Sequence, residues 1–162
     1  MAAQTIEDLF AHELEDIYFA EHELTESYER IAEQVEDDEL RDLVESHIEE
    51  TGTHIERLVD VFETMGEPPQ TEECEGIEGL LTEWEEFADE NEPGPVLDYY
   101  NLVTLLKTER YEQTAYESLV ALAERQGRDE AADLLRSNLE EDEANLDRLA
   151  EMAESFDYDS LS

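Results

Sequence analysis

His47, Glu50 and His54 are spaced three and four residues apart, which on an α-helix puts two imidazoles and a carboxylate on one face. Imidazole nitrogen and carboxylate oxygen are the donors that hold transition-metal ions. One histidine alone reads as an exposed or hydrogen-bonded side chain, so the weight rests on the group. The surrounding stretch, Ser46 to Leu58, is S-H-I-E-E-T-G-T-H-I-E-R-L, and 91 positions later Ser137 to Leu149 reads S-N-L-E-E-D-E-A-N-L-D-R-L. Without a gap this matches Ser46 with Ser137, Glu49 and Glu50 with Glu140 and Glu141, Arg57 with Arg148, and Leu58 with Leu149. The same offset pairs Glu21 with Glu112, Ala32 with Ala123 and Leu43 with Leu134. Glu matches arise easily by chance in an acidic chain, but the Ser, Arg, Leu and Ala coincidences mark an internal duplication. Acids carried in both halves predict one site built by two related helix pairs.

The helices that must position these groups are legible in the apolar spacing. Thr5 with Asp8 caps a first helix over 5–36, whose seam is Phe10, Leu14, Ile17, Glu21, Leu24, Tyr28, Ile31 and Val35. Glu21 is its one acid. An unpaired carboxylate costs several kcal/mol to bury, so a seam acid implies a partner, and a metal ion would be one; a solvated acid on a highly charged helix is the plain alternative. A second helix, 38–65, ends at Gly66 and has the seam Val44, Ile48, Thr51, Ile55, Leu58 and Phe62, with His47, Glu50 and His54 beside it. A short helix over 77–88, carrying Leu80, Leu81, Trp84 and Phe87, lies in a connection from Glu67 to Pro95 that is too long for a hairpin and long enough to cross a bundle.

The next helix, 96–126, has the seam Leu102, Leu106, Glu109, Gln113, Tyr116, Val120 and Ala123, with Glu112 on the same face. The last, 129–156, runs through Leu135, Leu139, Asp142, Leu146, Leu149, Ala153 and Phe156, with Glu141 on its flank, and the tail from Asp157 reads as frayed. The fold class is all-α: a single domain over 1–162, a four-helix bundle with one long crossover containing a short fifth helix.

The 162 residues carry 9 basic against 49 acidic side chains, a formal charge of −40. Such a field repels nucleic acid and anionic membrane, so neither is expected as a partner. The 40% hydrophobic content falls at helical intervals, so the acid is the solvated surface of a folded core. A surface of this kind suits concentrated salt, and a salt-loving source with weak folding in dilute buffer is expected. The single cysteine, Cys74, excludes an intramolecular disulfide, fits a reducing cytoplasm and is assigned to packing. No apolar stretch reaches membrane-spanning length and no secretion signal is present, so the expected location is cytoplasmic. Phosphate loops, serine elbows, CxxC pairs and EF-hand loops are absent.

At mid-height of an antiparallel bundle these acids converge, and several carboxylates cannot all stay ionised a few ångströms apart without cations. Two divalent ions resolve the repulsion. In di-iron bundles of the ferritin type, two helices each give a Glu and two give Glu-x-x-His. Here Glu21 and either Glu109 or Glu112 supply the single acids, Glu50 and Glu141 the paired-helix acids, and His54 the nitrogen donor, four residues after Glu50. The expected metal residues are therefore Glu21, Glu50, His54, Glu109, Glu112 and Glu141. An oxygen-rich set favours iron or manganese over zinc. Asn145 is the repeat counterpart of His54, so two ions would be held unequally, the His54 side more tightly. Tyr18 and Tyr116, a helical step from Glu21 and Glu112, read as packed aromatics or as an electron relay.

The chain resembles the YciF-like family of ferritin-like bacterial and archaeal stress proteins. The resemblance lies in Asp16-x-Tyr18-x-Ala20-Glu21, His47-Ile48-Glu49-Glu50-Thr51 with Ile55-Glu56-Arg57-Leu58, Cys74-x-x-x-Glu78-Gly79-Leu80, Glu109-x-Tyr111-Glu112 with Ala115-Tyr116, and Leu139-x-Glu141-Asp142. It implies a ferritin-like bundle with one long crossover, a homodimer, a dinuclear site and a link to stress responses. Arg110 stands where the family commonly has His, and Asp142 where it commonly has Glu. The expected function is a di-metal carboxylate protein reacting with peroxide or dioxygen. The alternatives are a metal-free dimeric bundle acting as a stress-protective scaffold or binder, and iron storage in a cage.

Overall fold

A computed structural model describes residues 2–162. Five α-helices follow one another as α1 (Ile6–Gln34), α2 (Asp38–Met65), α3 (Glu75–Glu90), α4 (Pro95–Arg125) and α5 (Asp129–Glu154), and a 3-10 turn, Tyr158–Leu161, closes the chain. Their ends follow from local chemistry. The Thr5 hydroxyl accepts from Asp8 N at 3.1 Å while the Asp8 carboxylate accepts from Thr5 N at 3.0 Å, a reciprocal capping box. Asp37 caps α2 through Leu40 N at 2.8 Å, and Gly66, at φ 72°, provides the left-handed residue that ends it. Pro95 opens α4, where its missing N–H costs nothing.

Side-chain pairs give the directions. Glu21 meets His54 and Tyr28 meets His47, so α1 and α2 are antiparallel. Tyr116 donates to Glu21, and Tyr28 Oη lies 2.9 Å from Thr108 Oγ1, so α1 and α4 are antiparallel. His47 reaches Asn145 while Arg57 reaches Asn138, which makes α5 antiparallel to α2. Diagonal helices α2 and α4 therefore run the same way, and the chain between them must traverse the bundle's length. α3 makes that crossing on the outside of α1 and α4, burying Ile77, Leu81, Trp84 and Ala88, with Trp84 Nε1 donating to Asn101 Oδ1 at 2.8 Å. The expected long crossover with its own helix is present.

Three boundaries move for identifiable reasons. α1 stops at Gln34 rather than 36 because the Glu36 and Asp37 amides donate to Asp98 of α4, at 3.0 and 2.9 Å. α3 begins at Glu75 because Cys74 Sγ takes the cap, accepting from Ile77 N at 3.5 Å. The tail expected to fray is packed instead: Tyr99, Phe156 and Tyr158 form an aromatic cluster, and Tyr158 Oη donates to Ala153 O at 2.9 Å.

Every residue of the α1 seam, Glu21 included, is at most 1% exposed. On α2 the buried line is rotated from the expected one: His47 and His54 lie in the core, while Ile48 and Ile55 are only half-buried. A polar layer explains the rotation. Glu21, His47, Thr51, His54, Thr108, Glu109, Glu112, Asn138, Asp142 and Asn145 are all buried, between apolar layers built around Phe10, Leu14, Ile31 and Leu135. Among the described residues no helix is long and apolar enough to cross a membrane.

Candidate metal centre

Four helices deliver the polar layer, each at or near its middle. α1 gives Glu21, α2 gives His47 and His54 two turns apart, α4 gives Glu109 and Glu112 one turn apart, and α5 gives Asp142. These side chains form two donor groups, His47, Glu109, Glu112 and Asp142 in one and Glu21, His54 and Glu112 in the other. Within each group one donor atom per residue lies within 4.8 Å of all the others, and Glu112 belongs to both.

The contacts are close. His47 Nε2 lies 2.6 Å from Glu109 Oε1, but off the axis an N–H bond needs, so neither atom has a hydrogen bond. His54 Nδ1 lies 3.2 Å from Glu21 Oε1 and 3.7 Å from Asp142 Oδ1. Tyr116 donates a short hydrogen bond to Glu21 Oε1 and accepts one from Asn138 Nδ2 at 3.1 Å; Tyr28 donates to Glu112 Oε2 at 3.3 Å. Several buried oxygens are left without any partner: Glu21 Oε2, both of Glu109, Glu112 Oε1 and both of Asp142. Buried polar atoms in folded proteins are nearly always satisfied, so orphans converging on one place make a group that could hold a cation.

The electrostatics agree. Four buried acids, Glu21, Glu109, Glu112 and Asp142, face two imidazoles, so full protonation of both histidines still leaves excess negative charge, whereas two divalent cations balance the four carboxylates. Without cations, protons do part of the work. Burial, then the charges of Glu21, Asp142 and Glu109, push Glu112 far above the usual carboxylate range. Burial, then Glu109 and Glu21, do the same to Asp142. Burial opposes the charging of His47, but Glu109 outweighs it and lifts the imidazole to about 10. His54 is raised too, against its burial, by Glu21 and Glu141. Burial works against ionisation of Glu21, yet the His54 and Tyr116 contacts hold it low.

Of the six residues expected from sequence, Glu21, His54, Glu109 and Glu112 come together in this layer, and both α4 acids take part. Glu50 and Glu141 stand at its rim, with side chains 28% and 35% exposed. Arg57 holds both Glu141 oxygens, at 2.7 and 2.9 Å, and keeps its pKa low; Glu50 accepts from Asn145 at 2.5 Å and is lowered chiefly by His47. His47 and Asp142 join the donor groups although neither was among the six. Asp142 in the α5 seam, and His47 two turns before His54, were the available signals. The contrast expected between a His54 side and an Asn145 side is not carried into the donor groups, each of which contains one histidine. Tyr18 packs edge-on against His22 and Phe62, away from the layer, whereas Tyr116 lies in it.

A four-helix bundle with one long outer crossover and a mid-height layer of acids and imidazoles is a ferritin-like helical bundle. The chain belongs to the family described as a domain of unknown function, DUF892, whose model matches residues 5–158. It is 35% identical over 154 residues to protein YciF of Escherichia coli (strain K12), covering 94% of this chain and 93% of that protein. The crystal structure of the E. coli stress protein YciF superposes with a TM-score of 0.88, at 35% identity over 93% of this chain and 96% of that one. YcfI from Rhodopseudomonas palustris, provisionally described as a structural protein, also gives 0.88, at 38% identity over 91% and 94% of the two chains. XCC3681 from Xanthomonas campestris pv. campestris shares the fold, with a TM-score of 0.76 at 20% identity over 93% of each chain.

Proposed function

We propose that this chain is a dinuclear metal carboxylate protein with Glu112 as the bridging ligand. The sharing of Glu112 between two buried donor groups carries the reading, since a carboxylate has two oxygens and can offer one to each of two neighbouring cations. One position takes His47, Glu109, Glu112 and Asp142, and the other Glu21, His54 and Glu112. The oxygen-rich set suits iron or manganese, which would supply redox chemistry toward peroxide or dioxygen. The protein's own part is to hold these donors dry and fixed: Tyr116 orients Glu21, Tyr28 orients Glu112, and apolar layers above and below exclude water. The E. coli relative's description as a stress protein supports a stress role. The reading includes a cytoplasmic homodimer, and the charge of −40 supports the absence of a nucleic-acid or anionic-membrane partner. A light-scattering mass of two chains tests the dimer, and an assembly of many more would indicate a storage cage.

Metal analysis of protein refolded with iron or manganese in high salt, beside a Glu112→Gln variant of nearly the same shape, tests the site. The expected result is two ions per wild-type chain and a clear loss in the variant. Equally trace-level metal in both would overturn the reading. That result would favour a metal-free scaffold whose layer is neutralised by protons, in line with the raised Glu112 and Asp142 and with the structural role ascribed to YcfI.

A further inference from the structure

The rim acid Glu141 differs from the buried ones in a way that separates their roles. Glu21, Glu109, Glu112 and Asp142 each keep at least one oxygen free of hydrogen bonds, as a ligand awaiting an ion must. Glu141 keeps none. Arg57 Nη2 donates to Oε1 at 2.9 Å and Nη1 to Oε2 at 2.7 Å, a two-point clamp of fixed geometry. His54 Nε2 lies 2.9 Å from the same Oε2.

The imidazole ring is thereby sorted end from end. Its Nε2 edge meets Glu141, and its Nδ1 edge meets Glu21 Oε1 and Asp142 Oδ1 inside the layer. A neutral imidazole carries one proton, and the nitrogen facing the better-placed acceptor keeps it. A fixed carboxylate at Nε2 therefore leaves the Nδ1 lone pair available to a cation. The frame continues around the ring: Arg57 Nη1 also donates to Asn138 Oδ1 at 3.0 Å, and Asn138 Nδ2 donates to the His54 carbonyl at 3.3 Å and to Tyr116 Oη at 3.1 Å.

We propose that Glu141, clamped by Arg57, is a positioning residue that accepts the Nε2–H hydrogen bond of His54 and so leaves Nδ1 to face the metal ion, and is not itself a ligand. This rests on the dinuclear reading above. The other half of the repeat brings the same two positions together. Glu50, the counterpart of Glu141, accepts from Asn145, the counterpart of His54, and the Asn145 amide in turn lies 2.7 Å from His47 Nδ1. The acid of each half thus meets the residue at the same repeat position, the His54 imidazole in one half and the Asn145 amide in the other. Nε2 of His47 is left facing Glu109.

Zinc titration against a chromophoric chelator, in wild type, Glu141→Gln and Arg57→Gln, separates the two roles. As a positioning pair, both variants still bind two ions, and one of the two affinities drops by about 10–100-fold. As a ligand restrained by Arg57, Glu141 would be released by Arg57→Gln and zinc would bind more tightly; that rise would overturn the proposal. Nitrogen-15 NMR of zinc-loaded wild type reads the same question without a mutation, and is expected to show metal on Nδ1 and a proton on Nε2 of His54. Metal on Nε2, or unchanged affinity in both variants, would overturn the proposal while leaving the dinuclear reading intact. A wild-type protein that binds no zinc would overturn the dinuclear reading itself.

Discussion

Asn145 Nδ2 lies 2.7 Å from His47 Nδ1, and the residues 91 positions removed from each, His54 and Asn138, also meet, with Asn138 Nδ2 donating to the His54 carbonyl at 3.3 Å. The pairing is the same with its ends exchanged. Likewise the His54–Glu141 contact maps onto Asn145–Glu50. A pseudo-two-fold relation between the α1–α2 and α4–α5 hairpins is what a duplicated hairpin produces when the copies pack face to face. Its central members, Glu21 and Glu112, are both fully buried.

The symmetry breaks in ligand count, with four donors in the Glu109 group against three in the Glu21 group. Ordered filling is therefore expected, the four-donor position first, in a titration of metal-free protein with cobalt(II) followed by its absorption. Asp142→Asn should weaken the first phase by more than about tenfold and Glu21→Gln the second. Two phases lost together in either variant would show that the positions are not independent.

Metal binding should release protons at neutral pH. His47, at about 10, is protonated before metal arrives; His54 is raised against its burial by Glu21 and Glu141, and Glu112 and Asp142 are raised by burial and neighbouring acids, so all three shift toward their protonated forms. Cations bind the deprotonated forms, so affinity climbs with pH. Calorimetry in buffers of different ionisation enthalpy measures the released protons directly, and a count of zero would contradict a protonated His47 in the metal-free layer.

The same groups set the stability of the metal-free protein. His47 titrates at about 10 when folded against 6.5 as a free side chain, so its contribution is complete below pH 6.5 and is lost as pH rises through 10. Glu112 and Asp142 also bind protons more tightly folded than unfolded, and act with the same sign. Urea midpoints of metal-free protein should fall between pH 6.5 and 10, and bound metal should flatten that slope.

Much of this was legible in the chain, and the rest was hidden for a specific reason. Apolar spacing gave the five helices and the crossover, and the interruptions at Glu21, Glu109 and Asp142 marked the depth of the polar layer. Tracing apolar residues ranks Ile48 and Ile55 above their neighbours, so it aimed α2 a fraction of a turn away from His47 and His54. A helix that buries histidines gives up part of its apolar coverage, and spacing alone cannot weigh that exchange. The clamping of Glu141 depends on Arg57, which adjoins it only in the folded bundle.

Asp98 joins the start of α4 to the α1–α2 turn. It is 5% exposed and accepts from the Glu36 and Asp37 amides at 3.0 and 2.9 Å. Hydrogen bonds to a charged acceptor are worth about 1.5–3 kcal/mol each, and because Glu36 and Asp37 are exposed, water takes back part of that loss. Asp98→Ala should therefore cost about 2–4 kcal/mol in urea unfolding. The turn lies at the bundle's end, away from the polar layer, so metal stoichiometry should not change.

Salt should stabilise the fold strongly. A net charge of −40 on 162 residues leaves most exposed carboxylates with like-charged neighbours. Among the surface cations, Arg30 pairs with Glu85, Arg136 with Glu124 and Lys107 with Glu83. The Debye length shrinks from about 10 Å at 0.1 M salt to about 3 Å at 1 M, which removes repulsion beyond nearest neighbours. Several kcal/mol recovered in this way correspond to a rise of roughly 10 °C in a domain of this size. Thermal unfolding in potassium chloride, from about 0.1 M to about 3 M, should show that rise. Exposed ion pairs, at less than about 1 kcal/mol each, offset little of it when they are screened. A flat or falling Tm would mean that the acidic surface is not balanced by salt, and would remove the physical ground for a salt-loving source.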